Sequence, residues 1–259
     1  MTKGIRYKND YLNEVIFKID FSTRDTPSRD DNRAIEQFKE EISEEFPKFY
    51  FKPNVKVEVN FMEGKSQSSF EENGLTWFFS NENDDKIVEL NLEHLILAYK
   101  KGAYIGFREF LEDVSQLLSA LRWYMPLQVK YLGLRYINQI HEEEINDDNI
   151  KEYINESLIN NIIFELAEGE NFTQLFSRLD FSTDDYQMTF QYGFFNSLFP
   201  EYNPNKDFIL DLDCKLIKVG SINSQADIEV QLKKMNKIIY KKFDYAITDK
   251  LRKLMEVIE

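Results

Sequence analysis

The stretch Val129–Ile140, VKYLGLRYINQI, alternates as a β-strand does: Gly133, Arg135 and Ile137 fall on one face, and Leu134, Tyr136 and Asn138 on the other. A run this long and this apolar predicts an extended strand. Upstream, Phe107, Phe110, Leu111, Val114, Leu117, Leu118, Leu121 and Tyr124 recur at helical spacing until Pro126, which predicts an amphipathic helix leading into the strand. The same two periods order the rest of the chain. Leu12–Phe21 (LNEVIFKIDF) places Val15, Phe17, Ile19 and Phe21 on one strand face. Ile35, Phe38, Ile42 and Phe46 form a helical stripe ending near Pro47. Val55–Phe61 reads as a strand, Leu75–Phe79 and Ile87–Leu92 as a hairpin around Asn81–Asp85, and Leu95–Tyr99 as a further strand.

The second half follows the same logic. A helical segment is predicted around Ile150–Ile159, then strands at Thr173–Phe181, Tyr186–Tyr192 and Phe208–Val219. Ser224, with Asp227 three residues on, has the pattern of a helix N-cap. Behind it Ile228, Leu232, Met235, Ile239, Phe243 and Ala246 form a long stripe that either runs on to Ile258 or restarts at Thr248. Strands joined by hairpin turns, without regular strand–helix alternation, predict an α+β fold: a mostly antiparallel sheet with amphipathic helices packed on it and a long C-terminal helix. The chain reads as one unit, 1–259. An alternative is two related halves, 1–141 and 150–259, joined by the acidic stretch 142–149. Ile19–Asp25 (IDFSTRD) and Leu179–Asp185 (LDFSTDD) are the similarity that suggests the halves.

Composition narrows the function classes. The 22 Phe, 14 Tyr and 2 Trp in 259 residues exclude a disordered chain. With 32 Lys and Arg against 46 Asp and Glu, the net charge of −14 disfavours nucleic acid as a bulk partner. Residues 226–259 carry eight basic and six acidic side chains, so the −14 divides into about −16 before that segment and +2 within it. A single cysteine, Cys214, leaves no internal disulfide and no multi-thiolate metal site. No apolar run approaches the roughly 20 residues that cross a bilayer, and no signal-peptide core follows the N-terminus, so a cytoplasmic protein without a membrane partner is expected.

Leu132–Ile140 (LGLRYINQI), Tyr11–Phe21 (YLNEVIFKIDF), Thr76–Phe79 (TWFF), Tyr104–Phe110 (YIGFREF), Leu210–Asp213 (LDLD) and Phe243–Thr248 (FDYAIT) together carry a likeness. In these segments the chain resembles a sporadically distributed family of prokaryotic proteins of about this length, defined by a GLRYIN-type strand. The resemblance covers nearly the whole chain in order. A patchy distribution is characteristic of mobile and defence-type loci, so the resemblance implies an accessory role at such a locus. It brings no catalytic residue with it.

The residues themselves offer few constellations. Arg135 sits in a run too apolar to hold an unpaired guanidinium, and its candidate partners are Asp20, Asp180, Asp211 and Asp213, all on strand-like segments. Such a pair either fixes sheet register or lines a pocket for an anion or a peptide carboxylate. Asp211 and Asp213 share a strand face about 7 Å apart, a spacing that serves a divalent cation only where further ligands converge. His94 and His141 lack metal-ligand spacing, and no phosphate-binding or nucleophile-elbow motif is present, so no metal or cofactor is assigned. Lys233, Lys237 and Lys241 make one ridge of the last helix, suited to an acidic partner. Gly193–Pro204 (GFFNSLFPEYNP) reads as an aromatic loop, with Phe194, Phe195, Phe199 and Tyr202 as candidate contacts. The expected role is therefore a non-enzymatic protein that binds a protein partner or a second copy of itself. The alternative is a ligand-binding or metal-dependent enzyme built on Arg135 and the strand carboxylates.

Overall fold

The computed structural model describes residues 6–7, 11–23, 33–62, 65–121, 127–141, 149–160, 170, 173–201 and 207–258. In chain order its elements are β1 (Arg6–Tyr7), β2 (Leu12–Thr23), α1 (Arg33–Ile42), β3 (Lys48–Met62), β4 (Lys65–Ser80), β5 (Lys86–Leu90), β6 (His94–Lys100), α2 (Phe107–Ala120) and β7 (Leu127–Ile140). Then come α3 (Ile150–Tyr153), α4 (Glu156–Ile159), β8 (Leu175–Ser182), β9 (Tyr186–Phe195), β10 (Asp207–Leu216), α5 (Gln225–Ala246), α6 (Asp249–Met255) and β11 (Val257–Ile258). Among the described residues nine strands form one sheet in the order β3-β4-β5-β6-β2-β7-β10-β9-β8, and β1 and β11 form a separate pair. Every pairing is antiparallel. The fold is α+β, with a mostly antiparallel sheet, helices packed on it and a long C-terminal helix.

Alternation creates the two faces of the sheet. On β2, Val15, Phe17, Ile19 and Phe21 are buried, while Glu14, Ile16, Lys18 and Asp20 are only partly covered. The inward set joins the stripes of the helices: Phe38 of α1 meets Phe79 of β4 with ring centroids 5.4 Å apart, and Phe110 of α2 meets Tyr99 of β6 edge-on at 5.0 Å. Tyr136 of β7 donates its hydroxyl hydrogen to Asn236 Oδ1 of α5 at 2.9 Å, so even the polar tip of a core tyrosine is satisfied under the helix. Each fully buried Phe or Leu in this layer contributes about 1.5–3 kcal/mol. Among the described residues no helix is long and apolar enough to cross a membrane.

The register shifts at several places that period counting misses, and one of them bears on the site. Asp20 pairs with Tyr131 but Phe21 pairs with Val129, so Lys130 is an extra residue in β7. That bulge puts Val129 into the core and Tyr131 on the outer face, although both are odd-numbered. A further departure concerns extent: the Phe49-Tyr50-Phe51 cluster belongs to β3, which begins well before Val55. Of the two readings of the last helix, the restart at Thr248 is the one observed: α5 ends at Ala246, Ile247 pairs with Ile154 in an isolated bridge, and Thr248 caps α6.

Topology divides the sheet at its centre. β2 is followed by α1, a meander returning through β6 to β2, and α2. β7 is followed by α3 and α4, a meander returning through β10 to β7, and α5. β7 thus heads the second such run, and 142–148, the bulk of the acidic stretch between the two candidate halves, lies outside the described residues. The IDFST and LDFST segments end β2 and β8, strands at different places in the two halves, and do not mark equivalent turns.

The sheet's edge at β8 depends on Gly193. Its φ is +147°, and a Cβ there would stand 2.0 Å from the carbonyl oxygen of Leu175. Gly193→Ala is expected to cost about 2–3 kcal/mol in denaturant unfolding and to speed amide hydrogen exchange in β8 before the rest of the sheet. A variant with unchanged exchange in β8 contradicts this account of the edge.

Candidate functional site

The outer face of β7, β10, β9 and β8 gathers most of the residues that the sequence singles out. Register puts Asp180 of β8, Thr189 of β9, Asp213 of β10 and Arg135 of β7 in one transverse row. The next row holds Arg178, Gln191, Asp211 and Ile137. Sharing a row is not contact, since Asp180 is three strand spacings, or about 14 Å, from Arg135.

Arg135 takes its partner diagonally. Nε donates to Asp211 Oδ1 at 2.8 Å and Nη2 to Asp211 Oδ2 at 2.7 Å, a bidentate fork across β7 and β10. Gln191 Nε2 lies 3.5 Å from the same carboxylate on its other side. The Asp211 side chain is 9% exposed and that of Arg135 39%, so the anion is desolvated and the cation remains half in water. The fork is therefore filled from within the sheet.

Asp213, directly opposite Arg135, receives no such fork. Burial pushes its carboxyl above the ordinary range; the Arg135 charge opposes that shift and the Asp211 charge adds to it. Beside it, Tyr131 lies along its own strand over Gly133: a Cβ at Gly133 would meet the Tyr131 hydroxyl at 2.5 Å and its ring carbons at 2.8–2.9 Å. The glycine of the GLRYIN segment thus clears a bed for a tyrosine ring. Burial first, then the charges of Asp213 and Asp20, push the Tyr131 hydroxyl up to about 12. Lys18 Nζ stands 5.6 Å from the centre of that ring and 3.3 Å from Asp20 Oδ1, a buried oxygen that has the ion pair but no hydrogen bond.

Of the four candidate aspartates, only Asp211 grips Arg135. Asp20 pairs with Lys18, about four residues along β2 from the Arg135 row. Asp180 accepts from Arg178 at 2.7 and 3.0 Å and from Thr189 at 2.6 Å, and these bonds hold its carboxyl down at about 2. Among the described residues no group of three or more His, Cys, Asp or Glu side chains is placed to hold a metal ion. Cys214 points into the core, where burial pushes its thiol up to about 12, away from nucleophilic use at neutral pH.

The aromatic segment divides differently from the sequence expectation. Gly193–Phe195 completes β9 and is not loop. Phe194 is 1% exposed and packs edge-on against Phe208 at 5.2 Å, so alternation along β9 turns it inward and removes it as a contact residue. Phe195 is 39% exposed and lies 6.2 Å from Phe176 of β8, which is exposed as well. Beyond them a turn presents Leu198 and Phe199, the latter 59% exposed. Asn196 holds that turn: its buried side chain accepts from Leu198 N at 2.8 Å and donates to Glu201 O at 2.6 Å. Tyr202 lies outside the described residues. Lys233, Lys237 and Lys241 lie on the exposed side of α5, with Lys233 3.8 Å from Glu229.

Period counting did not single out Tyr131, Gln191, Phe176 or Leu198. Tyr131 is hidden by the bulge. Phe176 was signalled by LFSRLDFS, whose large apolar residues fall on both strand faces. Compared with protein-family models and with curated proteins, the chain matches none.

Two outcomes test the charge network. Arg135→Ala, which leaves Asp211 desolvated and alone, is expected to lose about 2–3 kcal/mol of unfolding free energy, the upper figures for buried pairs being reduced by the half-exposed guanidinium. Replacing both partners by Leu is expected to recover most of that loss. An Arg135→Ala protein as stable as the parent removes the register-fixing role. For Asp213 the sign follows from its raised carboxyl: the folded state holds the proton more firmly, so stability is highest below the ordinary value of 3.8 and falls as pH rises through the folded one. Asp213→Asn is accordingly expected to be more stable than the parent at pH 7, with the advantage gone at pH 3 in paired thermal melts.

Proposed function

We propose that this chain acts as a non-enzymatic protein-interaction protein, with the β8–β9 end of the sheet as its contact surface. The observation that carries the reading is the turn stapled by Asn196. Leu198 and Phe199 stand out from it, three and four residues beyond Phe195, which pairs with the exposed Phe176. Large apolar side chains on a pre-ordered turn lose little entropy on docking, which is the arrangement of interface hot spots. An isolated apolar residue at a surface has no such meaning; four on one edge do. The ridge of Lys233, Lys237 and Lys241 adds a second contact for an acidic partner. An accessory role at a mobile or defence-type locus agrees with the GLRYIN-type resemblance.

The competing reading places a ligand at Arg135. It asks the guanidinium to be open to an incoming anion, and Asp211 fills the fork. The metal-dependent version asks for converging ligands, while Asp20 and Asp180 are engaged by Lys18 and Arg178.

Light scattering over a concentration series separates these readings. The parent chain is expected to exceed its monomer mass of 30.9 kDa as concentration rises, and Leu198→Ser/Phe199→Ser to return it to the monomer without changing its melting temperature. A parent that is monomeric at every concentration overturns self-association and moves attention to the Arg135 row.

A further inference from the structure

β8 is an edge strand: among the described residues it pairs with β9 alone. Edges are protected against pairing by lysines, prolines, bulges and charged side chains. The β8 edge has no lysine or proline, and its two charges, Arg178 and Asp180, are of opposite sign and can pair across a twofold. Residues 176–182 read Phe-Ser-Arg-Leu-Asp-Phe-Ser, and that order is complementary to its own reverse. We infer that two copies of this chain associate by antiparallel pairing of β8 with β8 about a twofold axis through Leu179, making one continuous sheet with the helices of both copies on the same side. The inference rests on the self-association reading above and names its mode.

With the axis at Leu179, the strands oppose residues whose numbers sum to twice 179. Phe176 then faces Ser182 of the second copy, Ser177 faces Phe181, Arg178 faces Asp180, and Leu179 faces itself. Each Phe meets a Ser, each charge meets its opposite, and the two leucines meet on the axis. Directly opposed residues share a sheet face, so Arg178 and Asp180 of both copies gather on the outer face, where the intrachain fork between them already lies. Leu179, a large apolar side chain now exposed on the helix side, is covered by its counterpart. Phe181 stays on that side under Lys242 Nζ of α5, 4.7 Å from the ring centre.

The charges select this register over its neighbours. Shifting the axis by one residue either way, the smallest move that keeps both helical layers on one side, sets Arg178 against Arg178 or Asp180 against Asp180. Both alternatives oppose like charges directly across the strands, which is destabilising. Seven residues of strand edge are a small contact, so the dimer is expected to be concentration-dependent.

Charge exchange and cysteine placement test this directly. In sedimentation or light scattering, Arg178→Asp and Asp180→Arg singly are expected to weaken association at least about tenfold, because each opposes like charges in the dimer. Arg178→Asp/Asp180→Arg restores the opposites in reversed order and is expected to recover association. Both positions are exposed, and unchanged melting curves establish that each variant is folded. Under mild oxidation Leu179→Cys is expected to give a cross-linked dimer on a non-reducing gel and Ser177→Cys is not, since only position 179 meets its own copy; the buried Cys214 gives no background. Single exchanges that leave the association unchanged, or cross-linking at 177 as fast as at 179, overturn the β8 pairing. If the Leu198/Phe199 variant dissociates a parent oligomer that ignores the charge exchanges, the interaction reading stands and the strand pairing falls. A parent monomeric throughout overturns both.

Discussion

The antiparallel pair of β2 and β7 is the constraint on which the rest of the molecule depends. It is the longest-range junction of the sheet, joining a strand near the N-terminus to one beyond residue 126, and each of its members begins a half whose meander returns to it. Because the pair is central, each strand must offer apolar side chains to the helical layer along its whole length: Val15, Phe17, Ile19 and Phe21 on one, Leu132, Leu134, Tyr136 and Ile140 on the other. The helices then cover a surface the pair has already defined. Contacts this distant in sequence close a longer loop than the hairpins β3–β4 and β8–β9, whose strands are joined by two and three residues.

How much of this was legible in the sequence follows from which forces are local. The stripe of α5 and the cap at Ser224 are visible because their partners lie within a few residues; Ser224 Oγ accepts from Asp227 N at 3.2 Å. The inward set of β2 is visible for the same reason. The bulge at Lys130 is not, because it exists only in relation to Asp20 and Phe21, more than a hundred residues away. Phe194 and Phe195 show the limit plainly. The sequence presents them as one aromatic pair, and the pleat sends the first against Phe208 and leaves the second beside Phe176. The candidate site was legible as a set of residue types and not as a set of contacts. Arg135 needed a carboxylate on physical grounds, but choosing Asp211 from four aspartates required the order of the strands.

The outer face differs from the inner one in what it demands. It is wet enough to carry Lys18, Asp20, Arg178 and Asp180 as exposed or half-exposed pairs, each contributing little because water screens it. It is dry enough around β10 to make Asp211 depend on Arg135. Tyr131 contributes to that dryness by lying across Gly133, which explains why a glycine is compatible with a central strand that otherwise favours branched and aromatic residues. The tyrosine replaces the side chain that Gly133 lacks.

This gives the Arg135–Asp211 pair a role distinct from stabilisation. Replacing a buried ion pair by apolar residues is often neutral in energy, so the energy alone is a poor reason for it. Register is a better one. The apolar face of β10 has a period of two, and a slip of two residues against β7 would keep Leu210, Leu212 and Cys214 inside. Hydrophobic burial therefore discriminates weakly between those registers. The ion pair separates them: one slip brings Lys215 opposite Arg135, exchanges Asp211 for Asp213 and strands the 9%-exposed carboxylate of Asp211 without a cation, while the other sets Asp211 directly opposite Arg135 and gives up the diagonal bidentate fork. The bidentate geometry belongs to the observed alignment, and through β10 that alignment also places β9 and the β8 edge, where the exposed aromatic surface is presented.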